Sequence, residues 1–430
     1  MAWPTSSTVR LMNVGVVALI VGYVTTRRKT KDGFLPMQRT LSRTVTKLLQ
    51  IGLNGVVPNV AFFTDVEGNW EYFLRCVERT KCLRIIAHRD DGAVDLALEP
   101  GWHLVFGGDS VDRGGLVGGS VRVVRSLLLL KRRHTSRVTL VLGNRDINKM
   151  RLTSELAPSE LSDDALNRVP GPYWVPEAKR VSPAKYLRSM VAKQLQKAET
   201  EVTPAEVRAA NTPASRLRWM LKDTMGADGE FERRQAELSM IVNDGTAIGD
   251  AEVVASFVES VQPGGFMYEY LHEGVLAARI GDALYMHGGI VGNYHGGATT
   301  CLGHVPAYRG GEEHQYADVD SWVAALNAWK DAQLAEWRVQ PHWAPHGRDA
   351  HPSATAEPQA MGQQAASEHV YEHGQRGGHL LMDYAVPGCG PSVVYSKHLD
   401  GKGMPMAMPT PLETALSWQG VHRIVVGHNP

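Results

Sequence analysis

The stretch Trp102-His-Leu-Val-Phe-Gly-Gly-Asp-Ser-Val-Asp-Arg-Gly114 decides the predicted fold of this 430-residue chain. Its first five residues are mostly apolar, which is typical of a buried strand. The rest is a polar, glycine-rich turn that carries Asp109, Asp112 and Arg113. A strand of an open α/β sheet that ends in such a turn presents the side chains of the turn at the carboxyl edge of the sheet, where ligands bind.

Four further segments share this pattern of an apolar run followed by a polar motif. They are Asn59–Thr64 before Asp65-Val-Glu67, Arg137–Leu142 before Gly143-Asn-Arg-Asp146, Ala283–Met286 before His287-Gly-Gly289, and Arg423–Val426 before Gly427-His428. Amphipathic segments at Asn69–Arg79 and Gly119–Arg132 predict helices between the first strands. Strands that alternate with helices indicate an α/β fold with a largely parallel sheet, so the motifs should meet at one edge.

Six motif side chains offer carboxylate, amide and imidazole groups, a set that suits manganese, iron, zinc or magnesium ions. They are Asp65, Glu67, Asp109, Asn144, His287 and His428. Two divalent ions about 3.5–4 Å apart could share one carboxylate, and Asp109 is the natural bridge. Arg113 is placed to bind phosphate oxygens, and Asp112 to orient a ligand or a catalytic partner.

Taken in order, the motifs Asp65-x-Glu67, Gly108-Asp-x-x-Asp-Arg-Gly114, Gly143-Asn-x-Asp146, His287-Gly-Gly289 and Gly427-His428 resemble those of the calcineurin-like metallophosphoesterase superfamily. In form they look like the motifs of phosphoprotein phosphatases and of diadenosine tetraphosphatase-like phosphatases. The resemblance implies a four-layer α/β/β/α sandwich and a hydroxide activated by two metals. It also implies that Asp65 binds the first metal, that Asp109 bridges, that Asn144, His287 and His428 bind the second metal, and that Arg113 binds phosphate.

Two positions depart from this family pattern, because Glu67 and Arg145 stand where the family usually has histidines. Glutamate is still an oxygen ligand, and it makes the site more anionic, which favours manganese or magnesium. Arginine cannot protonate a leaving oxygen, and the loss of a general acid typically costs about 10²–10⁴-fold in rate. The expected activity is therefore hydrolysis of phosphate esters or anhydrides with good leaving groups. Asp112, Arg113, Arg145 and Asp146 are the catalytic candidates.

Two other functions compete with this one. A pseudophosphatase would bind a phosphate or a partner with little turnover, and Arg145 favours that alternative. A nucleic-acid phosphodiesterase is disfavoured, because 45 Lys and Arg balance 45 Asp and Glu and leave no basic field for a nucleic-acid backbone. The expected substrates are phosphorylated small molecules, nucleotides or phosphoproteins.

The chain is expected to comprise a basic leader, residues 1–57, and a metallophosphoesterase domain, residues 58–430. The apolar run Leu11–Val24, followed by the basic cluster Arg27–Lys31, is typical of a signal or anchor segment, and the composition of the leader also fits a mitochondrial transit peptide. Both predict organelle targeting or membrane association; a disordered basic tail is the alternative. Within the domain we expect a mostly helical insertion at about 151–267 and a flexible loop region at about 292–378.

Overall fold

The computed structural model describes residues 58–428 except 173, 295–296, 307–313, 345–375, 388–390 and 401; within 292–299 it describes backbone only. The leader and its apolar run Leu11–Val24 lie outside the described residues, as does much of the predicted loop region. Among the described helices, none is long and apolar enough to cross a membrane.

The first sheet carries three of the predicted motifs. Its strands are β1 (Asn59–Phe63), β4 (Trp102–Phe106) and β5 (Val138–Leu140), and they pair in the order β1-β4-β5 with both pairs parallel. The first crossover contains helix α1 (Trp70–Arg79) and the antiparallel hairpin of β2 (Leu83–His88) and β3 (Val94–Leu98), and the second contains helix α2 (Ser120–Arg133). The predicted α/β class is confirmed for the described part of the chain.

The second sheet carries the two histidine motifs. Strand β6 (Ala277–Ile280) forms an antiparallel hairpin with β7 (Ala283–Met286), and β12 (Arg423–Val425) pairs with β7 in parallel. Because β7 and β12 run in the same direction, His287 and His428 emerge at the same edge.

An apolar cluster joins the two sheets. It contains residues from both, with Val105 and Val141 beside Ala283 and Tyr285, and the rings of Phe62 and Tyr285 are 6.1 Å apart. Alternate residues of the same strands, among them Leu104, Phe106, Leu284 and Met286, belong instead to the large core that includes the helices. This period of two is what a strand buried on both faces requires.

The predicted strand Arg137–Leu142 is shorter in the structure, and packing explains why. The chain leaves β4 after Val141, whose amide still donates to the Phe106 carbonyl at 2.8 Å. Val141 also makes a parallel bridge to Val275, and the Leu142 amide donates to the Val275 carbonyl. The segment therefore passes from the first sheet toward the second just before it reaches Asn144.

Helices dominate the segment between β5 and β6. The α-helices are α3 (Asn144–Ile147), α4 (Arg151–Glu155), α5 (Asp163–Arg168), α6 (Pro183–Leu195), α7 (Pro204–Ala209), α8 (Pro213–Trp219), α9 (Glu230–Val242), α10 (Asp250–Ser260) and α11 (Phe266–Glu273). Helix α8 ends at Trp219, and a π-helical turn, Met220–Thr224, continues directly from it.

The remaining elements lie between β7 and β12 in the sequence. They are β8 (Val291–Tyr294), β9 (Gly297–Thr300), β10 (His304–Val305), β11 (His314–Gln315), α12 (Val319–Val339), α13 (His379–Tyr384) and α14 (Thr410–Trp418). The long helix α12 buries Trp322, Trp329 and Trp337 completely or nearly so. Aromatic side chains of this size anchor a helix firmly to a core.

Gly114 lies where two motif turns approach each other most closely. A Cβ at Gly114 would lie 1.9 Å from the Asn69 nitrogen, whereas a Cβ at Gly101 has no atom within 4 Å, although Gly101 has φ +77°. We predict that Gly114→Ala lowers the free energy of unfolding by about 3 kcal/mol or more. Gly101→Ala should cost only the left-handed strain of about 1–2 kcal/mol. Urea denaturation checks both, and equal losses would contradict this account of the turns.

Candidate functional site

Five motif residues, four acids and one histidine, are held in an unusual backbone conformation. Asp65, Glu67, Asp109, Asp112 and His428 have φ values of 51°, 48°, 54°, 107° and 58°. Positive φ costs a non-glycine residue about 1–3 kcal/mol, and such residues cluster at functional sites. Hydrogen bonds between the first two turns compensate for this cost: the amides of Asp65, Glu67 and Gly68 donate to the carbonyls of Gly108, Asp109 and Ser110 at 2.9–3.0 Å.

Asp109, His287 and His428 form the centre of the site, with ligand atoms that all lie within 4.8 Å of one another. The His287 Nδ1 donates to the Gly107 carbonyl at 2.8 Å, which leaves Nε2 directed at Asn144 Oδ1 and Asp109 Oδ1, at 3.2 and 3.4 Å. A histidine held through one nitrogen by a carbonyl, with the other facing oxygen ligands, is typical of a metal ligand.

His428 completes the group from the second sheet. Its backbone amide donates to both carboxylate oxygens of Asp65, at 3.1 and 3.2 Å, and its buried Nε2 has no hydrogen-bond partner among the described residues. Its ring lies 5.1 Å from that of His287 and 4.7 Å from that of Tyr395. An orphaned ring nitrogen beside two other ligand atoms fits a bound cation.

The electrostatics of this group show how a cation beside Asp109 would be accommodated. Burial would raise the pKa of Asp109, but His287 and Arg145 hold it at about 2, so the carboxylate stays ionised. Burial would lower the pKa of His287, yet Asp109 and Asp65 raise it to about 9. The pKa of His428 is lowered to about 3 by burial and by His287, so this ring is neutral and able to coordinate. The donor set therefore fits a divalent ion.

Arg145 and Glu67 form an ion pair at the other side of Asp109. The Arg145 Nε lies 2.7 Å from Glu67 Oε1 and 3.5 Å from Asp109 Oδ2, and Nη1 lies 3.7 Å from Asp112 Oδ2. Arg113 reaches the same Glu67 oxygen only at 3.9 Å, and its side chain is 57% exposed against 11% for Arg145. Arg113 is therefore the more accessible of the two guanidinium groups.

Asp146 lies beneath the turns and is completely buried. Its carboxylate accepts hydrogen bonds from the amides of Asp109, Ser110 and Gly143 at 2.8–3.0 Å and from the Ser110 hydroxyl at 2.6 Å. Burial and the neighbouring Asp109 raise its pKa to about 6. Among the predicted catalytic residues, Asp146 thus positions the Asp109 turn.

Lys149 was not predicted as a site residue, although it lies only three residues after the third motif, Gly143-Asn-Arg-Asp146. Its Nζ lies 2.6 Å from Asp112 Oδ2 and 2.7 Å from Asn148 Oδ1, and burial lowers its pKa. Asp112 thus faces two cations, Lys149 and Arg145. In the sequence, the only sign of the ion pair between Lys149 and Asp112 was a lysine shortly after the Gly-Asn-x-Asp motif.

The predicted insertion also contacts the site, through residues that no sequence motif marks. The Met225 and Gly226 carbonyls accept from Arg145 Nη1 at 3.4 Å, and the Asp112 carbonyl accepts from Arg233 at 3.0 Å. Glu230 is buried and accepts from the Ser120 hydroxyl at 2.8 Å. A separate cleft of about 880 Å³, lined by Leu128, Ile241 and Phe266 among others, includes none of the predicted site residues.

No protein-family model matches the sequence, and no curated protein matches it. Among solved structures, the chain is similar to the cold-active protein-tyrosine phosphatase of the psychrophile Shewanella sp., with a TM-score of 0.33 and 14% identity over 87% of this chain and 66% of that one. For a second structure of a cold-active protein tyrosine phosphatase, the TM-score is 0.32 and the identity is 15%, over 87% of this chain and 65% of that one. The chain thus spans just under two thirds of those chains. Similarity at this level establishes neither a common fold nor a common activity.

We predict that Lys149→Met lowers the free energy of unfolding by about 3–5 kcal/mol, because it leaves the buried Asp112 carboxylate without its closest cation. The double variant Lys149→Met/Asp112→Asn should recover part of this loss, since no unpaired charge is then buried. Denaturant titration of the double-mutant cycle measures the coupling. Additive losses would show that the two side chains do not support each other.

Glu230 predicts a pH dependence of stability. Burial and the nearby Asp112 raise its pKa from 4.5 to about 7 in the folded chain, so it binds a proton more tightly when folded. The tighter proton binding stabilises the folded chain by up to about 3 kcal/mol. This stabilisation is fully present below about pH 4.5 and is lost as the pH rises through about 7. Glu230→Gln should flatten the fall in unfolding free energy between pH 5 and pH 8. Glu232→Gln, an exposed neighbour on α9, should leave the slope unchanged.

Proposed function

We propose that this protein is a metal-dependent hydrolase of phosphate esters or anhydrides. The observation that carries the proposal is the grouping of Asp109, His287 and His428, which come from three separate strand ends and lie within 4.8 Å of one another. Asn144 joins them through its contact with His287. A buried carboxylate, amide and imidazole set beside two arginines suits a metal that binds phosphate.

The site has ligands for two divalent ions, with manganese favoured over iron, zinc or magnesium. Asp109, Asn144, His287 and His428 would hold one ion, and Asp65, Glu67 and Asp109 the other. Bound ions would supply Lewis-acid polarisation of the phosphoryl group and activation of the attacking water. In fold terms, we propose that the two sheets and the helices outside them form the calcineurin-like α/β/β/α sandwich.

The arginines determine which substrates suit the site. Arg113, which is largely exposed, binds the phosphoryl oxygens of the incoming substrate. Burial would lower the pKa of Arg145, but Asp112, Asp109 and Glu67 raise it above its usual value, so Arg145 remains charged and donates no proton to a leaving group. Substrates whose leaving group departs unprotonated are therefore favoured, namely phosphate anhydrides, nucleotides and aryl phosphates. Phosphoserine proteins and other alkyl phosphates react slowly.

The ion pair between Glu67 and Arg145 favours one alternative, a pseudophosphatase that binds a phosphate or a partner. A carboxylate already paired at 2.7 Å with a guanidinium competes poorly as a metal ligand. Such a protein would retain phosphate binding through Arg113 with little turnover.

The test is hydrolysis of para-nitrophenyl phosphate, a nucleoside polyphosphate and a phosphoserine peptide in the presence of Mn²⁺. Asp109→Asn should lower kcat/KM on the first two substrates by more than about 100-fold. Mutation of a residue that only contacts a metal ligand already costs about 10–100-fold, and Asp109 is a proposed ligand itself. Asp163→Asn, an exposed acid on the insertion, is the matched control and should retain full activity. Turnover that survives Asp109→Asn would refute the proposal, and tight Mn²⁺ binding without any turnover would support the pseudophosphatase.

Arg145→His should raise turnover of the phosphoserine peptide at least about tenfold relative to para-nitrophenyl phosphate, since it restores a group that can donate a proton. Arg113→His is the control, because it places the same side chain outside the buried cluster. A uniform change on all three substrates would contradict the leaving-group argument.

A further inference from the structure

The guanidinium of Arg145 lies inside the acidic cluster of the site. Glu67, Asp109 and Asp112 surround it at 2.7, 3.5 and 3.7 Å, and its side chain is only 11% exposed. Three carboxylates around one buried cation form the arrangement that would otherwise receive a metal ion. Arg145 therefore already supplies positive charge on the Glu67 side of Asp109.

Arg145 is also fixed where it lies. Its backbone amide donates to Asp109 Oδ1 at 2.9 Å, and its Nη1 donates to the Met225 and Gly226 carbonyls at 3.4 Å. The side chain cannot leave Glu67 without losing its contacts with the insertion. An ion that approaches Glu67 must break this ion pair and also meets the repulsion of a fixed positive charge.

The opposite side of Asp109 has no such competitor. The Nε2 of His287 faces Asn144 and Asp109, and the buried Nε2 of His428 has no hydrogen-bond partner among the described residues. On this side a bound ion would take the place of the ring proton of His287 and would displace no fixed guanidinium group. The two halves of the centre therefore differ in what binding an ion costs.

We propose that Arg145 acts as a competing cation that makes the two metal positions unequal. The ion at Asp109, Asn144, His287 and His428 binds first and tightly. The ion at Asp65 and Glu67 binds second and weakly, when Arg145 releases Glu67. This inference rests on the proposed metal-dependent function and adds a regulation to it, because occupancy of the second position follows the free concentration of the divalent ion.

The experiment is a titration of the metal-free full-length chain with Mn²⁺, in which electron paramagnetic resonance measures free Mn²⁺ and so gives the stoichiometry without any substrate. The wild type should bind two ions in steps whose Kd values differ by about 10–100-fold, the range of typical coupling between sites. Arg145→Gln should tighten the second step at least about tenfold and leave the first unchanged. Arg113→Gln, which removes the more distant arginine from the same Glu67 oxygen, should change neither step appreciably.

Two further variants assign the steps. Glu67→Gln should weaken only the second step, and His428→Ala only the first. The double variant Glu67→His/Arg145→His removes one negative and one positive charge together, so the net charge of the cluster is unchanged. It replaces Arg145→Gln in the titration if that single variant fails to fold. It should bind its two ions with closely spaced affinities.

Equal affinities in the wild type, or an unchanged second step in both Arg145 variants, would overturn the inference and leave the proposed metal-dependent function standing. Failure of the wild type to bind Mn²⁺ at all would overturn the inference together with that function.

Discussion

The carboxylate of Asp146 is the constraint on which the rest of the site depends. It gathers the amides of Asp109, Ser110 and Gly143, and so connects the turn after β4 to the turn after β5. Asp109 can then keep its unfavourable φ of 54° and direct its side chain toward His287. Without such buried acceptors, the strain of the motif turns would relax into ordinary loop conformations, and the ligand atoms would separate.

Much of this arrangement could be predicted from the sequence, because strand periodicity and turn residues are local signals. The apolar runs before Asp65, Asp109 and His287 gave strand ends at the right places, since alternating burial requires only neighbours in the sequence. The end of β5 was misplaced by two residues. Val141 has the composition of a strand residue, and its transfer to a bridge with Val275 depends on a segment more than a hundred residues away.

Other parts of the site could not be predicted, because they depend on contacts between distant segments. The contact between Glu230 and Ser120 joins residues that are 110 positions apart in the sequence, and neither residue belongs to a motif. Tyr395 lies against His428 from a loop that has no strand or helix signal. Lys149 differs from these, because its position close to Asn144 could have suggested a lysine that pairs with an acid of the site. Its choice of Asp112 follows only from the fold.

Glu67 and Arg145, the two departures from the family pattern that the motifs resemble, act in physical terms as one unit. Considered separately, an added acid makes the site more anionic, and an arginine removes a proton donor. In the structure the two side chains are paired at 2.7 Å, so the added negative charge is neutralised by the added positive charge. A histidine titrates near neutral pH, whereas an arginine keeps its charge across the physiological range. In the proposed function the pair therefore supplies a fixed internal cation in place of a proton donor, and the proposed preference for good leaving groups and the proposed weak binding of a second metal both rest on that cation.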